Sequence, residues 1–345
     1  MNLETAITTR GTAQKKSFVF RSPPSFAQTL AESGIDTVSL ANNHVLDYGP
    51  VGLSDTIENL RTANVSTVGA GSNVVEAFRP SYALVKGTCL AVVAASQIIP
   101  TADWIATQNN PGVATAGQGA LDEYSQRLAS VVAETKQRSD VVVVVMHWGT
   151  EGAPCPKNAQ ITLAHLLHDA GATAILGAHP HVLQPIVATD IDNPTGPHLV
   201  AYSLGNFIWD PRTGSTAQTG VLELRFQGSF LNGFIFYPHV LDGNGWARAV
   251  APWTRSGRTI SARVSRRCPN AIGGNAGVFV RTSPTVANPT VTANPTVTTN
   301  PTVTTNPTVT TNPTVTTNPN VTTNSSALRR PAKALRVSRF MLFLQ

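Results

Sequence analysis

Acidic residues are missing from the end of this chain: none of its 19 Asp and Glu occurs after Asp242, in a sequence of 345 residues. Read by segment, residues 1–242 carry a formal charge of −6, residues 243–282 add +7 and residues 283–345 add +5. The +6 of the whole chain therefore describes neither part, and the basic total is not evidence for a nucleic-acid partner. Cysteine is scarce, and Cys89, Cys155 and Cys268 are spaced too widely to suggest a disulfide framework or a cysteine-based zinc site. No apolar run approaches the roughly 18–20 residues that cross a bilayer. The first sixteen residues place no apolar core behind a charged start, so no secretory signal is read and the chain as it stands is expected in the cytoplasm.

What is present divides into a body and a tail. Residues 283–324 repeat Asn-Pro-Thr-Val-Thr-Thr or a close variant, from Asn288, Asn294, Asn300, Asn306, Asn312 and Asn318. A proline every six residues removes a backbone donor each time, and one Val per repeat offers little apolar surface to offset chain entropy. An extended linker is the expectation. Residues 325–345 form a basic tail ending in Phe-Met-Leu-Phe-Leu-Gln, read as unselected sequence in preference to a membrane-surface contact. Aromatic interleaving is sparse among the C-terminal bases, so no nucleic-acid binding is expected. Residues 253–282 are rich in Arg, Ser and Gly with weak periodicity, which puts the end of the folded body near Pro252.

Within residues 1–252, β-type runs alternate with helical patterns. Strands are expected at 37–41, 90–95, 140–146, 174–176 and 199–204, then at 221–226 and 234–240 with no helix between them. Helical patterns fall at 25–33, 53–63, 121–138 and 159–170. This alternation argues an α/β fold, and the final strand pair argues a mixed sheet or a two-sheet sandwich.

Three polar clusters follow expected strands, where α/β folds place functional groups. The first runs from Ser39 through Asn42, Asn43, His44 and Asp47 to Gly49; the second is His147-Trp148-Gly149; the third is Gly177-Ala178-His179-Pro180-His181. Side chains two apart in an extended segment share a face, which pairs His179 with His181, and neutral imidazoles suit divalent metals. Asp47 near His44 has the logic of a carboxylate that orients an imidazole and raises its pKa for general-acid work. His165 and His168 lie on a helical pattern and read as surface or packing residues, and His198 and His239 have no polar companions nearby in sequence.

These clusters, together with Tyr202-Ser203-Leu204-Gly205-Asn206-Phe207, resemble the CapA family of capsule-synthesis, poly-γ-glutamate biosynthesis-type proteins. That family is built on the calcineurin-like metallophosphoesterase fold, and the resemblance covers about residues 2–250 with motif order intact. It implies an α/β/β/α sandwich holding one or two divalent ions, with Mn, Fe and Zn all open. It further implies Glu4 as a bridging carboxylate; Asn43, His147 and His179 as one metal set; and His181 in the other. His44 would be the proton donor with Asp47 orienting it, while Arg21 and Asn206 match neighbouring positions assigned to substrate. Family members carry a strand and a Gly-Asp segment upstream of Asn-Leu-Glu, whereas this chain starts at Met1, so the sandwich is expected without its first strand. Full-length relatives can carry an export signal or anchor there.

The function implied is metal-dependent hydrolase-like chemistry in the synthesis or handling of an anionic capsule polymer. A phosphoester-type substrate and contact with capsule-synthesis machinery go with that reading. The alternative, a catalytically impaired or inert component that binds or assembles, stays open on the sequence.

Overall fold

A computed structural model describes residues 1–117, 121–189, 197–210 and 212–268, and the backbone of residues 337–342. The 283–324 repeat and most of the 269–345 region lie outside the described residues. Those described belong to one compact unit.

The N-terminal part alternates short strands and helices. Strand β1 (Ala6–Ile7) pairs in parallel with β2 (Arg21–Ser22), and helix α1 (Ser25–Glu32) leads into β3 (Thr37–Ser39). Helix α2 (Gly49–Thr62) begins at Gly49-Pro50, where the missing proline N–H would have had no intrahelical partner in any case. It returns the chain to β4 (Ser66–Val68), parallel to β3. After β5 (Ala70–Gly71) comes α3 (Val74–Ala77), a single turn capped by Asn73, whose side chain accepts from the Val75 and Glu76 N–H groups.

A large sheet follows. Strands β6 (Ser81–Val85) and β7 (Thr88–Ser96) form a hairpin turning at Lys86-Gly87, with φ of 50° and 86°. Two successive positive φ values match the twist of the flanking strands. The short β8 (Gly112–Val113) pairs with β5, and α4 (Glu123–Lys136), β9 (Val141–His147), α5 (Asn158–Asp169) and β10 (Ala174–Ala178) then alternate. Strands β11 (Ile186–Thr189) and β12 (His198–Ala201) complete a six-stranded sheet of order β11-β12-β10-β9-β7-β6. The four inner strands are mutually parallel and both edge strands are antiparallel.

Strand β9 shows why the layers stack. Its Val-Val-Val-Val-Val-Met-His run is buried at every position, as a strand covered on both faces requires. Val141, Val143 and Val145 face a core shared with Leu222, Leu224, Phe226 and Phe236 of a second sheet. Val142, Val144 and Met146 face a separate core with Leu128 and Val132 of α4 and Ile161 and Leu167 of α5. The second sheet contains the long hairpin β13 (Gln218–Gln227) and β14 (Phe230–Leu241), followed by β15 (Ala247–Ala249) on its outer edge. The layering is the expected α/β/β/α sandwich.

The folded body continues beyond Pro252. Helix α6 (Arg255–Val264) is capped by Thr254, whose Oγ1 accepts from the Gly257 N–H at 3.0 Å, and it buries Ile260 and Val264 in the intersheet core. Arg-rich spacing hid the helix, because its apolar face holds few residues. Cys268, just after it, is disulfide-bonded to Cys155 across 113 residues, a pairing that the wide spacing of the cysteines did not suggest. Spacing in sequence says nothing of such a long closure. Finally, β16 (Val337–Leu342) pairs antiparallel with β13.

Two measurements test this architecture. Ile260→Ala should destabilise the chain by about 2–5 kcal/mol in urea unfolding, while Ser256→Ala on the exposed face stays within about 0.5 kcal/mol. Equal small effects would mean that α6 does not pack. The second concerns His168 on α5, whose Nε2 is sealed without a partner and whose ring sits 4.7 Å from that of His198. Burial, then the neighbouring His198 and His165, push His168 down from 6.5 to about 3. The unfolded chain thus binds the extra proton between about pH 6.5 and pH 3. Stability is complete above that window and falls with acidification through it, by up to about 1.4 kcal/mol per pH unit. Unfolding midpoints across this range should flatten in His168→Phe, and an unchanged slope would contradict the burial.

Candidate metal centre

The expected polar clusters all leave the carboxyl ends of strands on one side of the molecule. At the exit of β3, two adjacent asparagines divide the work. Asn42 is fully buried: its Nδ2 donates to the Leu3 carbonyl at 2.8 Å and to Asn2 Oδ1 at 3.3 Å, and its Oδ1 accepts from the His44 N–H at 3.0 Å. That amide ties the loop to the N-terminal segment. Asn43 is left to turn its Oδ1 toward His147 Nε2, 3.0 Å away.

His147, the last residue of β9, is 1% exposed. Its Nδ1 lies 3.1 Å from Glu4 Oε1, which also accepts from Asn2 Nδ2 at 2.9 Å. A carboxylate at Nδ1 fixes the proton on that nitrogen and leaves Nε2 with a lone pair. Nε2 then faces the Asn43 oxygen, and a cation between the two would be held by both. Burial, followed by the neighbouring His179, His181 and His44 and by Lys16, holds His147 well below the usual imidazole range, so the ring is neutral as a ligand must be. Glu4, expected as a bridging carboxylate, directs Oε1 to the back of this ring.

His44 is oriented as anticipated. Its Nδ1 lies 2.8 Å from Asp47 Oδ2, and Asp47 has no exposed side-chain surface. The Lys16 ammonium donates to the other carboxylate oxygen at 2.7 Å, and the Phe20 N–H donates to Oδ2 at 2.6 Å. The Phe20 ring lies 4.3 Å from the imidazole. Lys16 was not anticipated: a lysine pair in a polar loop carries no site pattern, and only folding brings Lys16 to Asp47, 31 residues further on.

The third cluster reaches its position differently from expectation. Strand β10 ends at Ala178, and His179 and His181 take φ of 94° and 56°. These are left-handed conformations that side chains with a Cβ adopt at a cost of order 1–3 kcal/mol, so the segment is a strained turn, not an extended one. Nearby, Gly177 is the residue that fits, since a Cβ there would stand 1.9 Å from the Tyr202 carbonyl oxygen and 2.3 Å from Trp148 Nε1. The turn brings the His179 ring to 4.8 Å from His147 and 5.9 Å from His181. His179 Nδ1 is buried without a partner, and burial, then His181 and His44, lower its pKa to about 4. His181 Nδ1 lies 2.8 Å from Asn206 Oδ1, which leaves Nε2 as its outward atom. Glu151, absent from the sequence-based set, offers a carboxylate oxygen within 4.8 Å of ligand atoms on both His179 and His181. Its place in the loop after His147-Trp148-Gly149 was the available signal.

Two cavities adjoin the cluster. One, of about 280 Å³, is lined by His44, Glu151, His181, Asn206, Trp209 and Arg212 among others. The other, of about 410 Å³, is lined by Glu4, Phe20, Arg21 and Trp209. Phe20 and Trp209, edge to face at 5.5 Å, line both. The Arg21 guanidinium stacks over Tyr48 at 4.6 Å. The described residues thus present imidazoles, an amide oxygen and carboxylates beside open volume, a donor set that fits a divalent ion.

The chain is similar to several known proteins. The family described as bacterial capsule synthesis protein PGA_cap matches residues 1–211. The PGA biosynthesis protein CapA of Bacillus subtilis is 33% identical over 197 residues, covering 57% of this chain and 48% of that protein. The capsule biosynthesis protein CapA of Bacillus anthracis is 33% identical over 196 residues, covering 57% and 45%. The chain thus spans about half the length of the curated relatives it matches. Among solved structures, the NAD nucleotidase of Haemophilus influenzae is similar with a TM-score of 0.38 and 13% identity, over 72% of this chain and 49% of that one.

The Asp47 network carries its own test. Asp47→Ala removes the carboxylate shared by the Lys16 ammonium and the Phe20 N–H, leaves Lys16 the Asn43 carbonyl, and should cost about 3 kcal/mol in urea unfolding. A loss below about 1 kcal/mol would show that the carboxylate is solvated.

Proposed function

The chain belongs to the bacterial capsule synthesis family PGA_cap, and from that membership we propose that it is a metal-dependent hydrolase acting on an anionic capsule polymer or a phosphoester-type precursor. The observation that carries this reading is the facing of His147 Nε2 and Asn43 Oδ1 at 3.0 Å beside the buried, unpartnered His179 Nδ1. Asn43, His147 and His179 would hold one divalent ion and His181 would face a second, with Glu4 holding the His147 ring from behind. Such ions supply positive charge that polarises a phosphoryl-type group and makes water nucleophilic near neutral pH.

The chain's own residues supply the rest. With Nδ1 held by Asp47, His44 presents Nε2 to the smaller cavity and can pass a proton to a leaving oxygen. The Lys16 ammonium donates to the other Asp47 oxygen at 2.7 Å and so holds that carboxylate in place. Phe20 and Trp209 exclude water from the shared wall of the two cavities. Arg21 in one cavity and Arg212 in the other give an extended anionic substrate a cation on either side, and Asn206 positions His181. No helix among the described residues is long and apolar enough to cross a membrane. The Cys155–Cys268 bridge supports a working compartment outside the reducing cytosol, against the cytoplasmic expectation. Contact with capsule-synthesis machinery fits the family.

Elemental analysis of the chain should find about two divalent ions, and His179→Ala should lose at least one of them. Absence of metal would overturn the proposal. Hydrolysis of bis-p-nitrophenyl phosphate and of poly-γ-glutamate should both be assayed, with His44→Ala lowering kcat by about 10²–10⁴-fold while metal content stays unchanged. Metal binding without hydrolysis of either compound would favour a binding or assembly component instead.

A further inference from the structure

Glu151 is exposed and sits on the loop between β9 and α5, two residues past Gly149, where φ is 85°. No ion pair or hydrogen bond engages its carboxylate among the described residues. That carboxylate nevertheless lies within 4.8 Å of ligand atoms on His179 and His181, and among the described residues this trio is the group of His, Cys, Asp and Glu that converges so closely. A second feature points independently to a cation: His179 is 7% exposed, and its Nδ1 is sealed from water with no partner. His181 has committed Nδ1 to Asn206, so its other nitrogen is available. The strained backbone at both histidines holds the rings in place before any ligand arrives.

The loop bearing Glu151 is fastened more firmly than a surface loop of its length requires. The Gly152 N–H donates to the Pro180 carbonyl at 2.9 Å, which joins the loop to the residue between the two histidines. Gln184 Nε2 donates to the carbonyls of Ala153 at 2.9 Å and Cys155 at 3.2 Å, and Gln184 itself accepts from Gln160 Nε2 at 3.1 Å. The disulfide to Cys268 then anchors the far end of the loop to the segment after α6.

We propose that Glu151 is the carboxylate ligand completing a His179–His181 cation site, and that the Cys155–Cys268 bridge is a positioning element for it. The inference rests on the metal-binding reading above. It differs in moving His179 from the Asn43–His147 set to the His181 side, where two histidines and a carboxylate come from the loops after β9 and β10. A three-ligand face of this kind leaves coordination positions open toward the cavity that His44 also lines. Reduction of the bridge by a dithiol yields two thiols while the dithiol becomes its own cyclic disulfide. Freed of that anchor, the loop retains the Gly152 and Gln184 bonds, and the site weakens without disappearing.

The test is a cobalt(II) titration of the metal-stripped full chain, read by visible ligand-field absorption, with zinc competition for affinity. Glu151→Gln should weaken binding on the His181 side by about 100-fold and alter the bands, whereas Glu134→Gln, which removes the same charge from an exposed site on α4, should leave both unchanged. The double variant Cys155→Ser/Cys268→Ser should bind about tenfold more weakly yet reach the same bands at saturation. Near-ultraviolet circular dichroism checks that each variant is folded. Full affinity in Glu151→Gln, alongside loss in His179→Ala, overturns this proposal and leaves the general metal reading standing. Undiminished binding in His179→Ala overturns the metal reading itself. Unchanged affinity after removal of the bridge overturns its positioning role.

Discussion

The candidate metal centre is organised about β9. Its seven residues are buried on both faces, so the strand is gripped between two cores, and His147 at its end cannot shift without disturbing both. The imidazole there joins parts of the chain that are far apart in sequence: Glu4 at one nitrogen, Asn43 at the other, and the His179 ring 4.8 Å away. A buried polar side chain is costly unless its partners are in place. Once β9 is fixed, therefore, the loops after β3 and β10 have only a few arrangements that leave no polar atom stranded. His179 Nδ1 is an exception, and the metal-binding proposal rests in part on it.

The site combines rigid and strained parts in a way that suits cation binding. Asn42, Asp47 and Gln184 are all fully buried, and each holds loop backbone through its side chain. They contribute nothing to a ligand directly. They fix the neighbours that can: Asn43, His44, and the Glu151 loop. The strain at His179 and His181 is tolerated because Gly152 and Asn206 hold the turn from two sides. Preorganisation of this kind means that little conformational freedom is lost when an ion arrives.

Much of the architecture was legible without coordinates. Each expected strand and helix within residues 25–241 corresponds to an element of the fold, because long periodic or uniformly apolar runs such as Val141–His147 leave few alternatives. The elements that escaped notice are those with weak patterns. Helix α6 hides its apolar face among arginines, β11 is a four-residue edge strand, and the β6 hairpin turns at Lys-Gly, where the positive φ of Lys86 is not written in its residue type. The clusters around Asn43, His147 and His179 were visible as motifs, but the contributions of Lys16 and Glu151 were not, since each is a single polar residue in a loop.

The residues by themselves determined the α/β character of the body, the chemistry of the imidazole, amide and carboxylate groups at strand ends, and the separation of an acidic body from an acid-free C-terminus. Local propensity and side-chain chemistry are properties of short segments, and they survive being read in isolation. Tertiary structure decided which nitrogen of each histidine is available, the left-handed turn that aims His179 and His181, and the closure of Cys155 onto Cys268. It also carried the folded body past Pro252, where composition suggested an end. Those outcomes depend on groups tens or hundreds of residues apart competing for the same buried partners, a constraint that exists only once the layers have packed.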